Sequence, residues 1–316
     1  MSKIWLVGCG QIAIEYAKIL NELGESFTVF GRGLKSSQKF TELTGKEVIL
    51  QSIVSYKEDK APEYLIIAVS IENLASITIE AIGLGIKNIL VEKPLALSSS
   101  EVECIYDISK KNNCNVFIGF NRRFFSSTME AINIIKADGG VKSIHFEFTE
   151  WPNVFLDPKN SKEAKEKWIL CNSSHVIDLA FYLAGKPEEM VSFVSGGTVH
   201  HPSGSVFCGS GLTQRGALFS YHANWESSGR WSIEVMTNKR RLILCPMEQL
   251  KTQEISSIQQ NRIIIDDSLD KKFKPGLFLE VDNFLKKNQS NLYTIGMLVD
   301  SMSIYNKIGG YDAKEE

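Results

Sequence analysis

Ile4-Trp5-Leu6-Val7-Gly8-Cys9-Gly10-Gln11-Ile12-Ala13 decides the fold of this chain. Four consecutive apolar residues make a short buried strand, and the turn after it follows the pattern GxGxxA. Each small residue has a task there. Gly8 permits the tight reversal, Gly10 lets backbone approach a pyrophosphate, and Ala13 keeps the next helix close to the sheet. That helix opens at Gln11 and Ile12, where unpaired N–H groups and the positive dipole end suit a phosphate. A glycine-rich turn by itself is often only a turn. Here a strand precedes it, and apolar residues at helical spacing run from Ile12 to Leu23, with Gly24 as the C′ residue. In that context it reads as a dinucleotide site.

The same unit repeats through the first third. Phe27-Thr28-Val29-Phe30, Tyr64-Leu65-Ile66-Ile67-Ala68-Val69, Ile89-Leu90-Val91 and Val116-Phe117-Ile118 are short apolar runs separated by helical stretches. This alternation predicts an α/β Rossmann domain with a doubly wound parallel sheet over residues 1–122. Open α/β sheets bind ligands beyond the carboxyl ends of their strands. One such end carries Glu92-Lys93-Pro94, a charged pair with proline stopping the ladder, which sets an ammonium group at the sheet edge. Ser70, Glu92 and Lys93 join the expected cofactor contacts.

The second strand bears on the choice of dinucleotide. NAD sites place Asp or Glu about 20 residues beyond the glycines to hold the ribose 2′-hydroxyl. Here the chain reads Val29-Phe30-Gly31-Arg32-Gly33-Leu34-Lys35-Ser36-Ser37, with no acid at the strand end. Beside Gly31, Arg32 can lie against adenine and pair with a 2′-phosphate. Ser36 and Ser37 can donate hydrogen bonds, and Lys35 adds charge. NADP(H) is therefore the expected cofactor, with NAD(H) open; the other reading of this segment is a solvated basic loop.

With 316 residues the chain is long enough for two domains. Hydrophobic residues at 43% and charged residues at 23% are those of an ordinary globular protein. A formal net charge of -2 without a basic block argues against a nucleic-acid partner. Cys9, Cys104, Cys114, Cys171, Cys208 and Cys245 show no metal-type spacing. They read as reduced, mostly buried thiols, and no metal is expected. No apolar run nears the ~20 residues that cross a bilayer. The first strand follows Met1-Ser2-Lys3 directly, which leaves no room for a signal peptide. The expectation is a cytoplasmic protein without a membrane partner.

The pattern changes after Phe124. Helical spacing surrounds Met129–Ile135 and His175–Leu183. Strand runs follow at Val191–Val194, Val206–Gly209, Ala217–Ala223, Trp231–Met236 and Arg241–Leu244, with Asn238 in a hairpin turn. Phe278–Leu285 and Leu292–Ile308 read as closing helices, packing back on the first domain. Residues 123–316 are thus expected as an α+β domain with a large, mostly antiparallel open sheet. It would bind substrate and pair subunits into a homodimer or homotetramer. In the His175 helix, Val176, Leu179, Ala180 and Leu183 form an apolar stripe, while Cys171, His175, Asp178 and Tyr182 share another face. A histidine there is either a satisfied structural residue or a proton-transfer group in a cleft. His200-His201 is a poor metal pair, because adjacent residues diverge and no further ligand motif accompanies them. His222, Asn224, Trp225 and Arg230, with Trp151, Asn153 and Lys167, are cleft candidates without a decisive pattern.

Taken in order, the GxGxxA turn, Glu92-Lys93-Pro94, Gly119-Phe120-Asn121-Arg122-Arg123-Phe124 and His175-x-x-Asp178 resemble one family over nearly the whole chain. It is the Gfo/Idh/MocA oxidoreductases, named for glucose–fructose oxidoreductase, inositol dehydrogenase and the rhizopine-catabolism protein. The resemblance implies that Lys93 is the active-site lysine contacting substrate hydroxyl and cofactor, and that the peptide before Pro94 is cis. It also implies that His175 is the general acid/base. Asn121 and Arg123 match the segment leading into the substrate domain and, with Asn172, are taken as substrate contacts. One position departs from the pattern: many members carry Asp four residues before the histidine, where this chain has Cys171, with Ser173 at the family's glycine position. A thiol cannot supply that charge; Asn172 or a substrate hydroxyl could take over its orienting role. The activity expected is NAD(P)-dependent hydride transfer to or from a hydroxyl or carbonyl carbon of a sugar, polyol or sugar derivative. The alternative is a non-catalytic dinucleotide- or sugar-binding regulatory relative.

Overall fold

The structure, a computed structural model, describes residues 4–56 and 61–311. Met1-Ser2-Lys3 therefore lies outside the described residues. The chain divides into two compact units, Met1–Asn121 with Leu269–Asp300, and Arg122–Ser268 with Ser301–Glu316.

The first unit is a Rossmann domain. Its parallel strands are β1 (Ile4–Val7), β2 (Phe27–Phe30), β3 (Val48–Ile49), β4 (Tyr64–Ile67), β5 (Asn88–Val91) and β6 (Asn115–Ile118). They lie in the order β6-β5-β4-β1-β2-β3, and the short strand Tyr293–Thr294 runs antiparallel on β6. Strand order reverses beside β1, so the glycine turn sits at the topological switch point where such sheets take ligands. β1, β4 and β5 are buried along their whole length, as strands of a helix-covered parallel sheet must be. At the end of the helix Gln11–Glu22, Gly24 has φ +69° and closes the turn as expected. β3 and Tyr293–Thr294 escape a sequence reading because two residues carry no periodicity. The expected helix Leu292–Ile308 accordingly starts later, at Ile295.

The second unit carries β7 (Ser143–Glu147), β8 (Pro187–Ser195), β9 (Val206–Thr213), β10 (Leu218–Asn224), β11 (Ser232–Met236), β12 (Arg240–Leu244), β13 (Lys251–Glu254) and β14 (Asn261–Arg262). Their order is β14-β13-β12-β11-β7-β10-β9-β8, antiparallel except where β7 pairs with β10. Asn238 lies between β11 and β12, which pair antiparallel. One face is apolar and covered: Phe181 of the helix Ser174–Ala184 meets Phe146 at 5.5 Å and Phe219 at 5.2 Å, edge to face. On the other face Val191 and Phe193 stand exposed. β13 reads Lys-Thr-Gln-Glu and has no apolar residue to reveal it.

Among the described residues no helix is long and apolar enough to cross a membrane. Cys9, Cys114 and Cys171 are buried, but Cys104, Cys208 and Cys245 are exposed, so fewer thiols are buried than expected.

Candidate functional site

The two fingerprint glycines are glycine for different reasons. Gly8 has φ +121°, and a Cβ there would stand 2.1 Å from the Ala68 carbonyl oxygen, so the fold itself demands glycine. Gly10 has no such neighbour: a Cβ there would meet nothing within 4 Å. It faces open space, as a backbone that a phosphate must approach should. Ala13 is fully buried. The helix starting at Gln11 has no side-chain cap and no acid in its first turn. Its N–H groups and dipole are left for an anion.

In front of this turn lies a cavity of about 430 Å³. Gly8, Gly10, Ile12, Gly31, Arg32, Ser36 and Ser70 line it, whereas Gln11, Ala13, Glu92 and Lys93 do not. Gln11 is exposed and its amide donates to Glu15 Oε1 at 3.3 Å. Arg32 is exposed at the cavity's edge. Ser36 Oγ donates to the Gly33 carbonyl at 2.9 Å and lies 3.1 Å from Cys9 Sγ. Ser37 turns inward instead, its hydroxyl directed to Cys9 Sγ at 3.5 Å. Of the two serines only Ser36 reaches the cavity, because helix formation from Leu34 rotates its neighbour into the core. Cys9, Gln51, Ser52, Ile53, Asn73, Ile77 and Glu80 complete much of the lining. Apart from Cys9, which lies within the glycine turn, no motif marks them, since they come from separate segments.

At the end of β5 the Lys93–Pro94 peptide is cis. Glu92 fixes the base of this turn: its N–H donates to the Ile67 carbonyl at 3.0 Å, and Tyr16 Oη donates to its Oε1 at 2.8 Å. Burial raises the Glu92 pKa, against the Tyr16 hydrogen bond and the nearby charges of Lys274 and Lys93. Asn121 Nδ2 donates to the Pro275 carbonyl at 2.8 Å, tying two stretches of the first unit together.

In the second unit His175 is 6% exposed, and its ring lies 6.4 Å from that of Trp231. The residues before it, Ile169–Ser173, wind as a π-helical turn. Cys171 thus lies in a π-helical turn, whereas His175 and Asp178 lie in the regular helix Ser174–Ala184. Arg123 and Asp178 form a buried bidentate pair, Nε to Oδ2 at 2.8 Å and Nη2 to Oδ1 at 2.6 Å. The Arg123 guanidinium also lies over the Tyr182 ring at 4.4 Å.

A carboxylate that the sequence reading missed contacts this segment. Glu150 is 1% exposed. It accepts from Asn172 Nδ2 at 3.1 and 3.0 Å and from Ser173 Oγ at 2.8 Å. Arg230 stands 3.5 Å from it, held between the Trp151 and Trp231 rings at 4.5 Å each. Burial raises the Glu150 pKa, against the Ser173 bond and the Arg230 charge. An acid from beyond β7 thus meets the two residues that follow Cys171. Glu150 also borders a cavity of about 310 Å³ with Phe155, His200 and Trp225. His201 is structural: Nδ1 pairs with the Gly204 carbonyl at 2.7 Å and Nε2 with Tyr311 Oη at 2.9 Å.

Residues 2–120 match the model of an oxidoreductase family with an NAD-binding Rossmann fold, GFO_IDH_MocA. No curated protein matches the chain in sequence. Levoglucosan dehydrogenase, solved with NADH and levoglucosan, is similar at a TM-score of 0.76 and 18% identity, over 99% of this chain and 97% of that one. An oxidoreductase from Agrobacterium radiobacter, solved with NAD+, L-tartaric acid and magnesium, scores 0.78 at 13% identity, over 100% and 97%. UDP-N-acetylglucosamine 3-dehydrogenase from Acidithiobacillus ferrooxidans scores 0.74 at 11% identity, over 97% and 96%. At these identities the likeness is one of fold. Residues 2–120, with their glycine turn and switch-point cavity, match the Gfo/Idh/MocA oxidoreductase family and carry its NAD-binding Rossmann fold.

Proposed function

We propose that the protein is an NADP(H)-preferring oxidoreductase acting on a hydroxyl or carbonyl carbon of a sugar, polyol or sugar derivative. One observation carries the reading: a cavity at the carboxyl end of β1, bordered by an unobstructed Gly10 and by Arg32, with no acid at the end of β2. The dinucleotide, when bound, supplies the hydride chemistry; the chain supplies position and electrostatics. Gly10 and the uncapped helix hold the pyrophosphate. Arg32 and Ser36 take the 2′-phosphate, and a ribose acceptor that would favour NAD(H) is lacking at that strand end.

Lys93 orients and polarises the substrate oxygen, with Glu92 and Tyr16 holding its turn. His175 exchanges the proton, the role suited to the side chain that titrates near neutrality. Glu150, Asn172 and Ser173 brace the turn before His175. Sugar-acting fold neighbours support the substrate class, and the NADH in one of them keeps NAD(H) as a second cofactor. Exposed Val191 and Phe193 support a homo-oligomer built through the second sheet. The regulatory alternative draws on Cys171, but a pure binder has no use for a lysine and a histidine of these kinds.

Replacing Lys93 by Met tests the mechanism. Turnover of NADPH against a panel of sugar-derived carbonyls should vanish while NADPH affinity changes little. Undiminished turnover in that variant would overturn the role of Lys93.

A further inference from the structure

The two arginines of Asn121-Arg122-Arg123-Phe124 have different surroundings. Arg123 is matched by Asp178 in the buried bidentate pair. Arg122 instead lies over the Trp231 ring at 4.7 Å and near that of Phe125 at 5.8 Å. Arg230, just before β11, lies over the same Trp231 ring at 4.5 Å. Trp231 thus gathers two guanidinium groups from distant parts of the second unit, and its ring stands 6.4 Å from that of His175. Both arginines border a cavity of about 90 Å³, lined also by Trp231, Pro246, Met247 and Glu248. Neither is sealed in the core: Arg230 exposes 36% of its side chain, and Arg122 is half-buried.

Two cations gathered on one ring repel each other, and an anion that meets both reverses the sign of that term. A guanidinium over a ring uses its flat face there and keeps the N–H donors in its plane for a partner. Glu150 is a weak counter-charge for Arg230. Their contact is 3.5 Å, the carboxylate already accepts from Asn172 and Ser173, and burial favours its neutral form. Glu248, the acid that borders the cavity, is exposed. Two positive side chains against one exposed carboxylate leave the lining short of one negative charge. A monoanion supplies it, whereas a phosphoryl dianion would meet repulsion from Glu248. The cavity has room for a group the size of a few waters, which a carboxylate is.

We propose that Arg122 and Arg230 bind a carboxylate of the substrate beside His175, so that the substrate is an acidic sugar derivative and not a neutral one. This rests on the sugar-oxidoreductase reading given above. The test uses matched sets that differ in one group: D-glucuronate with D-glucose, D-galacturonate with D-galactose, and D-mannuronate with D-mannose, each joined by the sugar 6-phosphate. The full chain with NADP+ is titrated with each, followed by tryptophan fluorescence. In at least one set the uronate should bind at least about tenfold more tightly than the neutral sugar, as a charge-assisted bidentate contact implies. Arg122→Gln and Arg230→Gln should each remove most of that advantage, while neutral-sugar affinity changes by less than about threefold. Arg122→Lys, which keeps the charge but not the fork, should retain only part of it. Thermal melts beside the titrations show whether each variant folds. Arg230→Gln is the one at risk, because it takes the counter-charge from Glu150, and Arg122→Gln then carries the test.

Equal affinity within every set, or a uronate advantage kept in both glutamine variants, would overturn the anion site and leave the sugar reading intact. Preference for a 6-phosphate over its uronate would overturn the carboxylate assignment. Binding of no sugar of any kind would overturn the sugar reading and this inference together.

Discussion

Asp178→Ala is the sharpest perturbation of the second unit. Asp178 and Arg123 expose 5% and 7% of their side chains and meet through two short hydrogen bonds. Removing the carboxylate leaves the guanidinium buried over Tyr182 with its principal counter-charge gone. Breaking a buried pair from one side costs about 3–5 kcal/mol, against ~0–1 kcal/mol for an exposed pair. At roughly 2–4 °C per kcal/mol for a unit of this size, the melting temperature should fall by about 6–20 °C. Arg123→Met should cost a similar amount. The double variant Arg123→Met/Asp178→Leu should recover most of the loss, since an apolar pair of similar volume carries no desolvation penalty. Calorimetry on the wild type, Arg123→Met, Asp178→Leu and the double variant measures the cycle, with Asp178→Ala beside it. A loss below about 1 kcal/mol in Asp178→Ala, or strict additivity of the two single changes, would refute the buried-pair reasoning. The assay also separates two roles of Arg123. A residue needed only by substrate would lose turnover and leave the melting temperature in place.

Gly8→Ala and Gly10→Ala should part company. The first drives a methyl into the Ala68 carbonyl and should destabilise the first unit, whereas the second should leave the melting temperature nearly unchanged and weaken dinucleotide binding at least about tenfold. Thermal melts beside a binding titration check both, and equal destabilisation would contradict the assignment of Gly10. Glu150 gives a pH signature. Its folded pKa lies above the ordinary 4.5, so its stabilising contribution is full below that value and is lost as pH rises through the raised one. Glu150→Gln cannot lose a proton, and urea midpoints from about pH 4 to 8 should show the wild type declining relative to the variant. Parallel curves would sink the buried-acid reading.

How far these features could be read from the sequence depends on whether their determinants are local. β1, its glycine turn and Glu92-Lys93-Pro94 are contiguous, and each imposes its own geometry, so the Rossmann unit was legible. β7 and β13 were not: the first alternates strictly as Ser-Ile-His-Phe-Glu but with only two apolar residues, too short a signal to stand out, and the second has no apolar residue at all. The site divides in the same way. Gly8, Gly10, Arg32 and Ser36 sit in the two turns that form the cavity's near side. Ile53, Ile77 and Glu80 reach it from other segments, with nothing in their spacing to announce it. Glu150 lies 22 residues from Asn172 and 23 from Ser173 in sequence. Because it comes from another element, no local pattern announced the acid that meets the residues after Cys171. The π turn at Ile169–Ser173 was equally hidden, because a 3.6-residue template cannot register a wider winding.

The most direct measurement is a titration of wild-type protein and Arg32→Ala with NADPH and NADH, followed by nicotinamide fluorescence. The expected result is tighter binding of NADPH than NADH by the wild type. That preference should be lost in Arg32→Ala through a loss of at least about tenfold in NADPH affinity, with NADH little changed. Preference for NADH, or equal losses for both cofactors, would contradict the 2′-phosphate assignment. Failure of either dinucleotide to bind would contradict the central claim.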